Sequence, residues 1–359
     1  MNSLCEDCVG TGKSAKSTRP HSRKRRVRRI TPDSSQQLRR LVQVLFLLLN
    51  LWIGVEFYFF VQYFENGGAA KYVPRPAGVE GWLPIAALMN LKYVLFTGRI
   101  PPLHPAAMFL LIAFLAISWL FRKSFCSWLC PVGTLSEALW KMGQRLWRWN
   151  LTLHRWVDLP LRSLKYILLG LFAYAVASLS SPAILDFMQS PYGLIADVKM
   201  LNFFRHLGTT ATWVLAFLMI ASVFIKNFWC RYLCPYGALM GITALSSPSS
   251  VRRDPEVCVD CAKCTRVCPS LLPVDKLLVV RSAECTGCLE CVAVCPAQGA
   301  LQMKLGKKRD LPVWAMTAAI CLLFLAIVGY AKWTGHWQSA IPDRVYLDLV
   351  PRAHELAHP

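Results

Sequence analysis

Two copies of one cysteine spacing constrain this chain more than any other feature. The first is Cys258-x2-Cys261-x2-Cys264-x3-Cys268-Pro269, and the second is Cys285-x2-Cys288-x2-Cys291-x3-Cys295-Pro296. Three thiolates spaced by two residues wrap one face of an iron-sulfur cubane, while the fourth, in a chain turned by its following proline, reaches the other cube. The spacing therefore assigns Cys258, Cys261, Cys264 and Cys295 to one 4Fe-4S cluster, and Cys285, Cys288, Cys291 and Cys268 to a second. Paired CxxC motifs also suit tetrahedral zinc, but two complete runs, each closed by Cys-Pro, favour iron and sulfide.

The rest of the chain combines 55% hydrophobic residues with a net charge of +20. A soluble domain seldom carries both, so the two must occupy different segments, and they do. Apolar runs of about 20 residues, the length that crosses a bilayer, alternate with basic connectors. Spans are expected at 41–64, 105–121, 164–179, 211–225 and 311–331, with a shorter helix at 82–96 lying in the interface or re-entering it. The expected fold is an all-α polytopic membrane protein of about five transmembrane helices with a small α+β ferredoxin-like domain. Its parts would be a basic cytoplasmic tail (1–40), a membrane domain (41–247), the two-cluster domain (248–305), a final transmembrane helix (311–331) and an extracytoplasmic tail (332–359).

Orientation follows from counting Lys and Arg in the connectors. Residues 1–40 hold 11, 122–165 hold 8 and 226–310 hold 12, against 4 in 65–104, 2 in 181–210 and 3 after Ala331. The excess puts the amino terminus and the two-cluster domain in the cytoplasm and the carboxyl terminus outside. The basic balance thus records membrane topology and contact with anionic lipid, and no nucleic-acid partner is expected.

A second cysteine pattern is an internal repeat. Arg122-Lys-Ser-Phe-Cys126-Ser-Trp-Leu-Cys130-Pro131-Val-Gly133 matches Lys226-Asn-Phe-Trp-Cys230-Arg-Tyr-Leu-Cys234-Pro235-Tyr-Gly237, and each copy follows an apolar span. Residues four apart share a helical face, and the residue before proline is pushed out of the α region. Cys130 and Cys234 should therefore end one segment while Pro131 and Pro235 open the next. The helix dipole and Arg122, Lys123, Lys226 and Arg231 should favour thiolates there. The sharp expectation is that Cys126, Cys130, Cys230 and Cys234 converge on one further metal or iron-sulfur site; two redox-active dithiols or a structural role are the alternatives. Cys5 and Cys8 read as free thiols in the tail, and Cys321 as a small buried thiol in an apolar helix.

Several redox chemistries are set aside. None of the seven histidines falls in mid-span, so bis-histidine haem within the bilayer lacks ligands, and no C-x2-C-H haem attachment site or G-x-G-x-x-G dinucleotide fingerprint occurs. Electrons must come from a soluble donor or from a lipid-soluble carrier such as quinol. Glu56, Lys92, His104, Asp186, Asp197, Lys199 and His206 are the groups available to handle protons, and the sequence does not choose among them; no catalytic residue is assigned.

Two CxxxCP motifs after membrane spans, followed by a two-cluster domain, resemble the membrane-integral polyferredoxin family, with NapH-like, NosR-like and CcoG-like members. The resemblance covers residues 40–305 and implies a bacterial inner-membrane electron-transfer protein. A short basic amino-terminal segment, a short carboxyl tail and a fifth span set it apart from those three types, nearest a stand-alone branch. The leading expectation is electron transfer between the quinone pool and a partner redox protein or respiratory metalloenzyme through two 4Fe-4S clusters. The alternatives are an accessory protein for reductive maturation or copper delivery using the CxxxCP thiols, and a redox sensor or membrane anchor.

Overall fold

The computed structural model describes residues 33–148, 150–306 and 309–356. Cys5, Cys8 and the basic cluster at 23–29 lie outside them. The first helix, α1 (Ser35–Glu65), begins six residues before the expected span. At 1.5 Å per residue its 31 residues extend about 46 Å.

A 3₁₀ turn (Ala77–Trp82) leads into α2 (Pro84–Thr97), which opens on proline and closes on a left-handed Gly98. Asn90 and Lys92 serve other helix ends. Asn90 donates to the carbonyls of Leu103 (2.9 Å) and His104 (2.8 Å). Lys92 donates to the carbonyls of Val176, Ala177 and Leu179, where a helix leaves its last acceptors unpaired.

The next helix, α3 (Pro105–Leu120), is only 16 residues long, about 24 Å. It is apolar on every face, as a helix enclosed by others must be, and it is buried at eleven positions. A one-turn helix α4 (Phe125–Trp128) and the amphipathic α5 (Pro131–Trp147) follow. Then come α6 (Arg155–Ser178), α7 (Ser181–Gln189), α8 (Pro191–Leu194) and α9 (Ala196–Arg205). The helix α10 (Thr209–Phe224) meets α9 at 80°. A π-helical turn (Trp229–Leu233) precedes α11 (Pro235–Leu245).

Among the described residues three helices are long and apolar enough to span a membrane, within α1, α6 and at Val313–Trp333, and the bent α9–α10 pair would make a fourth. These fall short of the expected five; the other apolar helices, α2, α3 and α11, are shorter. The helix α3 is the pillar against which α2, α11 and the last long helix pack.

The sheet-bearing unit is a four-stranded antiparallel sheet of order β2-β1-β3-β4. Its strands are β1 (Ser249–Arg253), β2 (Val279–Val280), β3 (Leu301–Leu305) and β4 (Arg309–Asp310). β1 pairs with β3 from Ser249↔Leu305 to Arg253↔Leu301, and with β2 at Val251↔Val280. Two short helices, α12 (Lys263–Val267) and α13 (Glu290–Ala293), carry cysteines of the two runs.

The chain then enters α14 (Val313–Trp333) and ends on α15 (Asp343–Leu349). The segment expected as a tail is part of the core. Tyr346 packs edge-on against Phe60 of α1, with ring centroids 5.1 Å apart, and is buried with Leu349 and Val350.

Candidate functional site

Each CxxxCP unit is entered through a residue in the left-handed region, Arg122 (φ 65°) and Asn227 (φ 53°). The chain makes one tight turn and ends with the second cysteine as the N-cap of α5 or α11, with proline at the first helical position. There the missing proline N–H deprives the helix of nothing. The sulfur of Cys130 accepts from the Gly133 N–H (3.4 Å), and that of Cys234 from the Gly237 N–H (3.2 Å). A Cβ at Gly133 would lie 2.2 Å from the Cys126 carbonyl oxygen, so no side chain fits.

Sequence spacing could not relate the two units in space; the fold does. Cys126, Cys130, Cys230 and Cys234 line one cavity of about 580 Å³. Its remaining walls are largely apolar: Phe46, Leu49 and Ile53 of α1, Leu110 and Phe114 of α3, and Phe324 and Val328 of α14. It reaches Gly78 and Trp82 of the 3₁₀ turn, and on the cysteine side it touches Glu284, Thr286 and Cys288 of the sheet-bearing unit. Among the described residues no group of three or more His, Cys, Asp or Glu side chains is arranged to hold a single metal ion.

Burial works against the nearby charges expected to favour thiolates. Burial pushes the Cys126 thiol up to about 11 and the Cys130 thiol up to about 12, against the pull of Lys123 on the first. Three of the four basic residues expected to favour thiolates are bonded elsewhere. Arg122 donates to the carbonyls of Ala244 (2.8 Å) and Ser282 (2.7 Å). Lys226 donates to the Arg266 carbonyl, and Arg231 is held by Asp158. Lys123 alone stays with the thiols, buried near Gly237 and within the field of Glu284. Desolvation thus outweighs nearby positive charge, and a metal would have to displace the thiol protons.

In the sheet-bearing unit the eight cysteines separate into two groups. Cys258, Cys261, Cys264 and Cys295 line one small hollow; Cys268, Cys285, Cys288 and Cys291 line another. None of the eight is in a disulfide. In each hollow the fourth cysteine of one run lies beside the triplet of the other.

The proton-handling groups named from sequence do not gather at one place. His104 and Asp197 are fully buried in an ionic network with Arg75 and Glu80. Arg75 reaches Asp197 (Nε to Oδ2, 2.8 Å) and Glu80 (2.8 Å), while His104 Nδ1 lies 3.4 Å from Glu80 Oε1 and its Nε2 is 2.9 Å from the Gly193 carbonyl. Glu56 is half-buried on α1, and Asp186 and His206 are exposed. Lys199 donates to the carbonyls of Ala353 and Leu356. Sequence reading missed Arg75, Glu80, Arg39, Lys165 and Glu284, all part of buried or half-buried ion pairs. Only Arg39, lying just before an apolar run, carried a visible signal.

The same segments stand out in comparison with known proteins. A family described as "4Fe-4S binding domain" matches residues 103–150 and 207–250, the two CxxxCP units with the helices before and after them. A "4Fe-4S dicluster domain" family matches 250–296. Over 326 residues the chain is 49% identical to YccM of Escherichia coli (strain K12), whose name assigns it to electron transport; the match covers 89% of this chain and 91% of YccM. The chain belongs to the membrane polyferredoxin family. This polyferredoxin is also similar to the protein NirI of Paracoccus denitrificans (29% identical, 58% of this chain and 30% of NirI). A further relative is the ferredoxin-type protein NapH of Escherichia coli (27%, 41% of this chain and 48% of NapH). No solved structure matches it.

The polyferredoxin is thus a membrane protein of an electron-transport family that binds 4Fe-4S clusters and works with a redox partner. The donor sets fit that cofactor. Each hollow of the sheet-bearing unit is lined by four cysteines and apolar residues such as Leu301 or Val274, and thiolate ligation is how proteins hold such clusters.

Proposed function

We propose that this polyferredoxin passes electrons between a membrane quinone and a partner redox protein. Cys258, Cys261, Cys264 and Cys295 hold one 4Fe-4S cluster, and Cys268, Cys285, Cys288 and Cys291 hold a second. Cys126, Cys130, Cys230 and Cys234 hold a further cluster at the membrane surface. The protein sits in the bacterial inner membrane with its sheet-bearing domain in the cytoplasm and its carboxyl end outside.

The observation that carries this reading is the cavity. It has the four CxxxCP cysteines on one wall and apolar side chains of α1, α3 and α14 on the others, the combination a quinone site requires. Along α14 it runs from Phe324 to Lys332, about 12 Å of helix, room for a ring and the start of an isoprenoid tail. Bound clusters supply one-electron acceptors, and the chain contributes the slot, the thiols and the buried Lys123 beside them.

The test is anaerobic. Purified protein should contain about twelve irons with matching acid-labile sulfide per chain, falling to about eight when Cys126, Cys130, Cys230 and Cys234 are all changed to serine. Reduced ubiquinol or menaquinol analogues should reduce the clusters in wild type, and Leu49→Trp, which fills the slot, should slow this while dithionite reduction persists. Clusters that neither quinol ever reduces would sink the quinone reading, and about eight irons in both proteins would sink the third cluster.

A further inference from the structure

The sheet-bearing unit meets the CxxxCP region largely through one loop, residues 282–288, and that loop belongs to one of the two cysteine groups. The carbonyls of Ser282, Thr286, Gly287 and Cys288 accept from Arg122 (2.7 Å), Ser127 (2.6 Å), Trp128 (3.1 Å) and Gln36 (3.0 Å). Gly287 is left-handed (φ 60°), and a Cβ there would meet the Phe121 carbonyl oxygen at 2.8 Å. The loop is therefore pressed onto the turn that carries Cys126.

The two hollows differ accordingly. Pro269, Ser270, Thr286 and Cys288 line both the large cavity and the hollow of Cys268, Cys285, Cys288 and Cys291. No residue lining the hollow of Cys258, Cys261, Cys264 and Cys295 lines the large cavity. Cys268 and Cys288 are buried, whereas the turn between Cys258 and Cys261 presents Val259 and an Asp260 side chain that is 62% exposed.

Resting on the electron-transfer reading above, we infer that the two groups act in a fixed order. The group of Cys268, Cys285, Cys288 and Cys291 is the inner one, which exchanges electrons with the cavity. The group of Cys258, Cys261, Cys264 and Cys295 is the outer terminal, which serves a soluble one-electron redox protein at the Val259–Asp260 turn. A quinol gives up two electrons and two protons. The electrons pass singly, each lowering one oxidised 4Fe-4S centre by one unit of charge, and the protons go to solvent water.

Two double variants test the order by electron paramagnetic resonance. With Cys258→Ser and Cys261→Ser, the remaining inner centre should still be reduced by quinol. With Cys285→Ser and Cys288→Ser, the outer centre should lose reduction by quinol yet keep reduction by dithionite. Quinol reduction of the outer centre at the wild-type rate in the second variant would overturn the order. If quinol reduces nothing in wild type, the quinone reading fails and the order is still decided by a second measurement. A soluble dysprosium chelate added to the detergent-solubilised, dithionite-reduced proteins should relax the outer centre's signal much more than the inner one's. Equal or reversed relaxation would overturn the inference.

Discussion

The indole Nε1 of Trp128 donates a 3.1 Å hydrogen bond to the carbonyl oxygen of Gly287, joining the first CxxxCP turn to a cysteine loop of the sheet-bearing unit. Trp128 is fully buried between them. Trp128→Phe would keep much of the packing but strand a buried acceptor, costing about 1–3 kcal/mol. The expected readout is a lower unfolding midpoint in detergent, with faster proteolysis around residues 282–288; an unchanged midpoint and cleavage pattern would contradict this.

Gly133 and Gly237 occupy matching places in the repeat but differ in the space around them. An added methyl at Gly133 would overlap the Cys126 carbonyl at 2.2 Å, whereas at Gly237 its nearest neighbour is Lys123 Nζ at 3.5 Å, an ordinary contact. Gly133→Ala should therefore destabilise the turn by about 1–3 kcal/mol or more and lower the iron content, while Gly237→Ala should leave both near wild type. Equal effects of the two substitutions on iron per chain would count against the geometry.

Arg39, buried at the start of α1, reaches Glu137 of α5 (2.6 Å) and Glu290 of α13 (3.0 Å). Burial would raise the Glu137 carboxyl, but the hydrogen bonds and charge of Arg39, helped by Lys141, hold it down to about 2. A depressed carboxyl adds stability that is complete above its ordinary value near 4.5 and lost as pH falls through about 2. Wild type should lose stability as pH falls from about 4.5 toward 2, and Arg39→Met should be less stable at neutral pH with a shallower acid slope. Parallel slopes in the two proteins, measured by near-ultraviolet circular dichroism, would refute the assignment.

Arg75 sits between Glu80 and Asp197, both without solvent exposure. Removing the cation in Arg75→Met leaves two buried carboxylates without it, a change worth about 3–5 kcal/mol when one member of a buried pair is deleted. A large drop in unfolding midpoint is expected, with cluster spectra unchanged in the protein that remains folded. A drop no larger than that of an exposed Arg352→Met control would show that the network contributes little.

The sequence by itself determined what depends on local spacing. Two runs of cysteines with their closing prolines pointed to iron-sulfur clusters, because ligand spacing and the turn at proline are properties of a few adjacent residues. The repeat showed that Cys130 and Cys234 must begin helices, since the residue before proline leaves the α region. Apolar run length located α1, α6 and α14 to within a few residues at most ends, though α6 begins nine residues before the expected span.

What lies between distant segments was decided only by tertiary structure. Cys126 and Cys230 are 104 positions apart, and their common cavity exists because α3 and α11 pack together beneath the docked loop at 282–288. Enclosure removes water from Cys126 and Cys130 and pushes their thiols up, a cost no reading of neighbouring charges includes. His104 and Asp197 stood apart in the sequence until the fold brought them together with Arg75 and Glu80, which sequence reading missed. Burial and long-range proximity are properties of the packed chain, and they set both the shape of the cavity and the order of the cysteine groups around it.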